Sequence, residues 1–283
     1  MKKKHFLITL FNLKLWDTDK KRSATRTNEW LEKRFRLFET YCFPSVCQQS
    51  TKEFIWLCFF DENTPDTYKE RILEYCVQMP QMRPIFFNES QMADWKNQIR
   101  EIVRSLLTDE EYVITTNLDN DDAIHYQMIE TLQQEFERTK LLGLYTYING
   151  LQYFPSLHLL LKMTYPHNHF LTYIEKADAD FKTTIYIRHA EARKKMQNII
   201  DIPNKPYWVE IVHSSNVNND LRITSRIKYG MIWDALNLHK YGLNVDISKK
   251  QIREGVLLRF PLLFIRIATF KLLRKIGIRK DQD

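Results

Sequence analysis

Three carboxylates, Asp119, Asp121 and Asp122, fall within four positions in the stretch Leu118-Asp119-Asn120-Asp121-Asp122-Ala123. Acids this close repel one another, and the repulsion is tolerable when a cation offsets it or when the groups face water. Hard oxygen ligands suit Mg2+ or Mn2+, which bind through one or two carboxylates while the phosphates of a substrate complete the shell. The plainer alternative is that Asp121 or Asp122 caps a following helix and the others solvate a turn. An EF-hand is a poorer fit, because Ala123 and Ile124 stand where that loop needs an oxygen ligand and a glycine.

The elements that must position these acids decide between the two readings. Residues 112–116, Tyr-Val-Ile-Thr-Thr, have the β-branched and aromatic composition of a buried strand, and 123–131 turn helical in pattern. Earlier, residues 5–11, 54–60 and 83–87 read as strands, with helical spacing over 29–41, 66–78 and 91–107. Strand and helix therefore alternate with short connections, which predicts an α/β fold: a mostly parallel, Rossmann-type central sheet with helices on both faces. In such sheets ligands collect at the carboxyl ends of strands. Asp61 and Asp119 both fall at such ends, and this moves the acidic block from helix cap towards binding site. Further on, 141–147, 158–163, 183–188 and 207–212 have strand character, with a turn over 150–153. His213 follows the last of these, where a neutral imidazole is a third metal ligand or simply a surface histidine.

Composition narrows the class. Of the 42 Lys and Arg, 10 lie in residues 249–283, with 3 of the 35 Asp and Glu, so residues 1–248 carry 32 of each sign and the net +7 sits in the tail. A folded body that is neutral argues against a nucleic-acid-binding protein. The predicted organisation is one domain over 1–248, with a nucleotide half to about 122 and an acceptor half from about 123, and a basic helical appendage over 249–283. Neither G-x-G-x-x-G nor G-x-x-x-x-G-K-[ST] occurs among the 6 glycines. Cys42, Cys47, Cys58 and Cys76 have no C-x-x-C spacing and read as reduced core thiols. The basic start is followed by too short an apolar run for a secretory leader, so a cytoplasmic location is expected. Residues 255–278 interleave bulky apolar residues with cations, and Pro261 interrupts any helix near its start. Its uncharged runs fall short of the roughly 18 to 20 residues that span a bilayer. It is read either as lying on an anionic membrane surface or as a terminal helix packed on the domain.

Several phrases carry a family likeness: Arg34-Phe35-Arg36-Leu37-Phe38-Glu39, Tyr41-Cys42-Phe43-Pro44-Ser45, Phe54-Ile55-Trp56-Leu57, the acidic block, and Trp208-Val209-Glu210-Ile211-Val212-His213-Ser214-Ser215-Asn216-Val217. Over about residues 5 to 220 the chain resembles the inverting, GT-A-type glycosyltransferases, and more narrowly the rhamnosyltransferases of bacterial polysaccharide synthesis. The resemblance implies a GT-A-like sheet that binds a nucleotide-sugar donor, with Asp61 on the nucleoside and Asp119 on the ribose or the metal. Asp121 would bind the metal bridging the diphosphate, and His213 would add a metal or diphosphate contact. The block here reads Asp-Asn-Asp-Asp, which leaves Asp121 and Asp122 as alternative ligands, and the Glu-Asp pair that usually supplies the base is missing.

Glycosyl transfer needs cations for the departing diphosphate and a base for the acceptor hydroxyl. Arg100 is a candidate for the diphosphate, or else part of a solvated helix face. Glu175 and Glu191 are the candidate bases, with the plainer roles of pairing with a nearby cation and of opening a charged helix. The expected protein is a Mg2+- or Mn2+-dependent glycosyltransferase acting on a glycan or lipid-linked acceptor at the inner face of the cell membrane. The alternatives are a metal-dependent nucleotidyltransferase or phosphohydrolase, and a non-catalytic membrane-associated assembly protein.

Overall fold

The computed structural model describes residues 1–15, 18, 25, 27–203, 205–213, 228–231, 235–245 and 248–275. Twelve strands are present among them: β1 Lys3–Leu10, β2 Ile55–Asp61, β3 Met82–Phe87, β4 Tyr112–Asn117, β5 Ala123–Ile124, β6 Gly143–Tyr147, β7 Asn149–Phe154, β8 Leu159–Thr164, β9 Leu171–Lys176, β10 Ile199–Ile202, β11 Trp208–Ile211 and β12 Lys228–Met231. Seven form one sheet in the order β10-β6-β9-β4-β1-β2-β3, and five form a second in the order β12-β8-β7-β11-β5.

The large sheet is the mostly parallel one expected. β1 pairs in parallel with β2 and β4, β2 with β3, and β6 with β10, while β9 runs against both of its neighbours. Strand periodicity sorts its apolar residues onto two faces. Leu7, Trp56, Cys58, Phe60 and Ile114 point to one side, where they meet Phe35, Ile72, Ile129 and Phe136 from the helices Asn28–Leu37, Asp66–Gln78 and Met128–Thr139. Phe6, Ile8, Leu57, Phe59 and Val113 point to the other, against Ile99 and Val103 of the helix Trp95–Ser105. Both faces are covered, which is why these strands read as continuous apolar runs. All four cysteines are free, with Cys42 and Cys58 buried in the core.

The second half departs from its sequence pattern in several places. Ala123 and Ile124 do not begin a helix but form β5, pairing with Val209 and Trp208; the helix starts at Met128. Residues 150–153 are part of β7, not a turn, and 183–188 hold the short 3-10 turn Thr184–Tyr186 instead of a strand. In β7, Gly150 is required by a neighbour, since a Cβ there would lie 2.1 Å from the Trp208 ring. The tail forms the helix Lys249–Glu254, a π-helical turn Gly255–Arg259 and the helix Phe260–Lys275. Pro261 has no N–H to donate, and the widened turn stands just ahead of it, where the hydrogen-bond ladder must change step. Ile252 and Val256 are buried against the second sheet, whereas Leu258, Leu262, Ile265 and Leu272 are exposed. Among the described residues no helix is long and apolar enough to cross a membrane.

Candidate functional site

The acidic block begins just beyond the carboxyl end of β4. Its backbone stays attached to the sheet through Leu118, whose N–H reaches the Ile8 carbonyl (3.0 Å). Two residues after β1 then connect the neighbouring strand ends. The Asn120 side chain donates to the Phe11 carbonyl (2.8 Å), and Asn12 accepts from the Asp61 N–H (3.1 Å). Asp61 is buried at the end of β2 and also accepts from the Asn63 N–H (2.9 Å). β2 and β4 flank β1, so Asp61 and Asp119 share one edge, roughly 10 Å apart at about 4.8 Å per strand.

The three acids of the block have different surroundings. The Asp119 side chain is 62% exposed and faces the open edge, whereas Asp121 and Asp122 are buried. One oxygen of Asp121 receives Arg34 Nη1 (2.9 Å) and meets His213 Nε2 (2.9 Å). Arg34 also donates to the Asn120 side chain. Burial pushes the Asp121 carboxyl up, but Arg34 and His213 outweigh it and hold the group well below the usual carboxylate range. Asp122 accepts the Ile211 N–H on one oxygen (2.8 Å) and meets His169 Nε2 on the other (2.7 Å). Burial raises the Asp122 carboxyl against the pull of His169, and contact with the acid raises His169 despite its own burial.

His169 Nε2 also lies 3.8 Å from Asp119. Asp119, Asp122 and His169 each offer a ligand atom, and these atoms lie within 4.8 Å of one another. The two carboxylates suit Mg2+ or Mn2+, and the imidazole adds a nitrogen donor. Asp119, Asp121, Asp122 and His213 are expected together around a metal. The structure does bring all four to one cluster, but it joins both Arg34 and His213 to Asp121 and sets His169 beside Asp119 and Asp122. Two members, His169 and Arg34, were not foreseen. His169 lies in the run Pro166-His167-Asn168-His169, whose two histidines were a signal, and Arg34 lies in a phrase used for family likeness alone.

The remaining candidates stand further off. Glu175 is level with Val113 in the β4–β9 register, six residues before Asp119, so about 20 Å away at ~3.3 Å per residue. Its carboxylate instead accepts the N–H groups of Lys182 (2.9 Å) and Thr183 (2.8 Å). Glu191 rides on the helix His189–Lys195, whose first residue stands 6.2 Å from the His169 ring, but its carboxylate is engaged by Lys195 (2.5 Å). Arg100 pairs with Glu101 (3.3 Å) and lies 6.0 Å from the Tyr186 ring centre. Nearer the cluster is Glu210, buried on β11 next to Ile211, held by Gln152 Nε2 (2.8 Å) and close enough for its charge to raise His169.

A mostly parallel sheet thus carries an acid and imidazole cluster at its carboxyl edge. The sequence model of the family described as "Putative rhamnosyl transferase" matches residues 8–224, and the chain belongs to that family. Among solved structures, the chain is similar to the crystal structure of S. aureus TarS 1-349, at 12% identity and a TM-score of 0.42, covering 74% of this chain and 60% of that one. It is similar too to S. aureus TarS 1-349 in complex with UDP, at 11% identity and a TM-score of 0.43, with the same coverages. The chain thus spans 60% of the length of those structures. No curated protein matches it.

Breaking the Arg34–Asp121 contact tests the electrostatics directly. Arg34→Met strands a buried carboxylate and is expected to lower unfolding free energy by about 3–5 kcal/mol at pH 7 in urea denaturation. Because the Asp121 pKa is depressed by folding, its contribution is present above the unfolded value of about 4 and is lost as pH falls through the folded value. The gap between wild type and variant should therefore narrow below about pH 4. Equal stabilities at pH 7 would refute the pairing.

Proposed function

We propose that this glycosyltransferase moves rhamnose, with inversion, from a nucleotide-diphosphate sugar to a hydroxyl of a glycan or lipid-linked acceptor, with a divalent cation at Asp119, Asp122 and His169. The observation that carries the reading is the cluster at the carboxyl edge of the sheet: two acids and an imidazole within ligating reach, beside a third acid already neutralised by Arg34. Rhamnose rests on the family description alone.

Bound there, Mg2+ or Mn2+ would offset the charge that builds on the departing diphosphate. The chain's own residues do the rest. Asp61 and the open Asp119 line the edge on which a nucleoside and its ribose would lie. Arg34 and His213 fix Asp121, and Asn120 ties the loop to Phe11, so the cluster is held in place before substrate arrives. The acceptor hydroxyl must lose a proton as it attacks, a step for which a positioned base contributes roughly 10²–10⁴-fold. We assign that base to Glu210, which shares the face of β11 on which Trp208 stacks against Phe170, the neighbour of His169, while Glu175 lies along the strand and Glu191 is engaged by Lys195.

The tail supports a peripheral membrane location. Its inner residues anchor it on the second sheet, its outer leucines and isoleucine face solvent, and its cations suit anionic lipid at about 1 kcal/mol each.

Three measurements test this reading. Nucleoside diphosphates should raise the melting temperature only with Mn2+ or Mg2+, by an amount equivalent to about 2.7 kcal/mol at a hundredfold excess over Kd. Asp119→Asn and His169→Ala should remove that shift; a shift that persists in both would refute the metal assignment. Glu210→Gln is expected to lower kcat by roughly 10²–10⁴ with donor binding intact, whereas Glu175→Gln stays near wild type. The same loss in Glu191→Gln, and not in Glu210→Gln, would move the base there. Finally, the triple substitution Leu258→Ser, Leu262→Ser and Ile265→Ser should abolish co-sedimentation with phosphatidylglycerol vesicles, and undiminished sedimentation would mean that the helix does not touch lipid.

A further inference from the structure

The ribbon of β5 and β11 has two ends. At one, Asp122 accepts from Ile211; at the other, the His125 N–H donates to the Tyr207 carbonyl (2.8 Å). Beside this second end lies a cavity of about 200 Å3, with Leu151 in its wall and His125, Lys162, Lys205, Lys240 and Tyr241 supplying the polar groups.

The three lysines come from separate parts of the chain: β8, the stretch before β11, and the 3-10 segment Ala235–Tyr241. No carboxylate lines the cavity, and among the described residues none of the three is in an ion pair. The neutral folded body has no compositional need for such a cluster, and like charges drawn together are unfavourable unless an anion joins them. All three side chains are exposed, and the fold sets the backbone beneath them. The Lys240 carbonyl accepts from the Tyr126 N–H (2.8 Å), and Lys205 Nζ donates to the Gln127 side chain (2.6 Å). His125 is buried, and its Nδ1 accepts from the Gln127 N–H (3.2 Å). Burial, with Lys205 and Lys240 adding to it, pushes His125 down to about 4. The ring is thus neutral at pH 7 and carries its proton on Nε2, a donor that no acceptor among the described residues meets.

We propose that this cavity is a phosphate site, taking a phosphate monoester or diphosphate group on Lys162, Lys205 and Lys240 with His125 Nε2–H as a fourth donor. The volume suits that size of group, since sites for drug-sized ligands run to about 300–1,000 Å3. His125 is three positions beyond Asp122, so the site lies about 10 Å along the ribbon from the acid cluster. It does not depend on the proposed transfer reaction.

The test is titration of the full-length chain with inorganic phosphate and pyrophosphate, followed by calorimetry in EDTA so that the acid cluster takes no metal. Saturable binding that weakens with salt is expected. Lys162→Gln with Lys240→Gln should weaken it by roughly tenfold or more, and Lys162→Arg with Lys240→Arg should restore it. Circular dichroism checks that both variants fold. A second arm identifies the source: if the phosphate belongs to a lipid headgroup, the glutamine variant also loses sedimentation with phosphatidic acid vesicles and pyrophosphate competes with them. If the source is soluble, vesicle binding is unchanged while pyrophosphate binding falls. Absence of saturable binding in wild type up to about 10 mM, or equal affinity in the folded glutamine variant, overturns the proposal.

Discussion

The carboxylate of Asp121 is out of water and ionised, and the local architecture follows from what that requires. A buried anion costs several kcal/mol unless opposite charge and hydrogen bonds meet it. Here the partners come from far along the chain: Arg34 from the first helix and His213 from just beyond β11 converge on one oxygen. Three segments with no sequence proximity are thereby pinned to one point at the edge of the sheet. The Asn120 contact to Phe11 adds a fourth. Asp121 is thereby satisfied within the fold, while the neighbouring Asp119 stays exposed.

Asp122 organises the other side of the cluster. One of its oxygens is committed to the Ile211 amide, which fixes the start of β5 against the end of β11. The other holds His169, delivered by the chain just ahead of β9. The cluster is thus built across the join between the two sheets: β4 supplies the loop, β11 an amide, and the approach to β9 an imidazole. The acid proposed as a ligand is in this way also a structural tie, and the cluster inherits the rigidity of both sheets.

The first half of the fold was legible because its strands are buried on both faces and its helices on one, so each leaves a local signature. The alternation from residue 5 to 117 and the acidic edge follow from patterns within single segments, whereas the approach of His213 was implied by the family resemblance. What was hidden depends on pairing. β5 is two residues long and has no period to read, so Ala123 and Ile124 were assigned to the following helix. β9 runs against the rest of the sheet, and nothing in Leu171–Lys176 announces direction, so Glu175 could not be placed at the end away from the acids. His169 and Arg34 acquire meaning only when segments 50 to 90 residues away fold onto them. The lysine cavity is a case of the same kind, because Lys162, Lys205 and Lys240 are unremarkable singly in a charge-balanced body.

One backbone position shows how far such dependence reaches. The Trp208 ring occupies the space where residue 150 would carry a side chain, so β7 and β11 pair in parallel only because that residue is glycine. Ile211, whose amide grips Asp122, is three residues along the same strand from Trp208. A methyl group at 150 would lever the strand outward and loosen the acid it steadies, so a residue with no chemical group to offer is nonetheless among those on which the acid cluster rests.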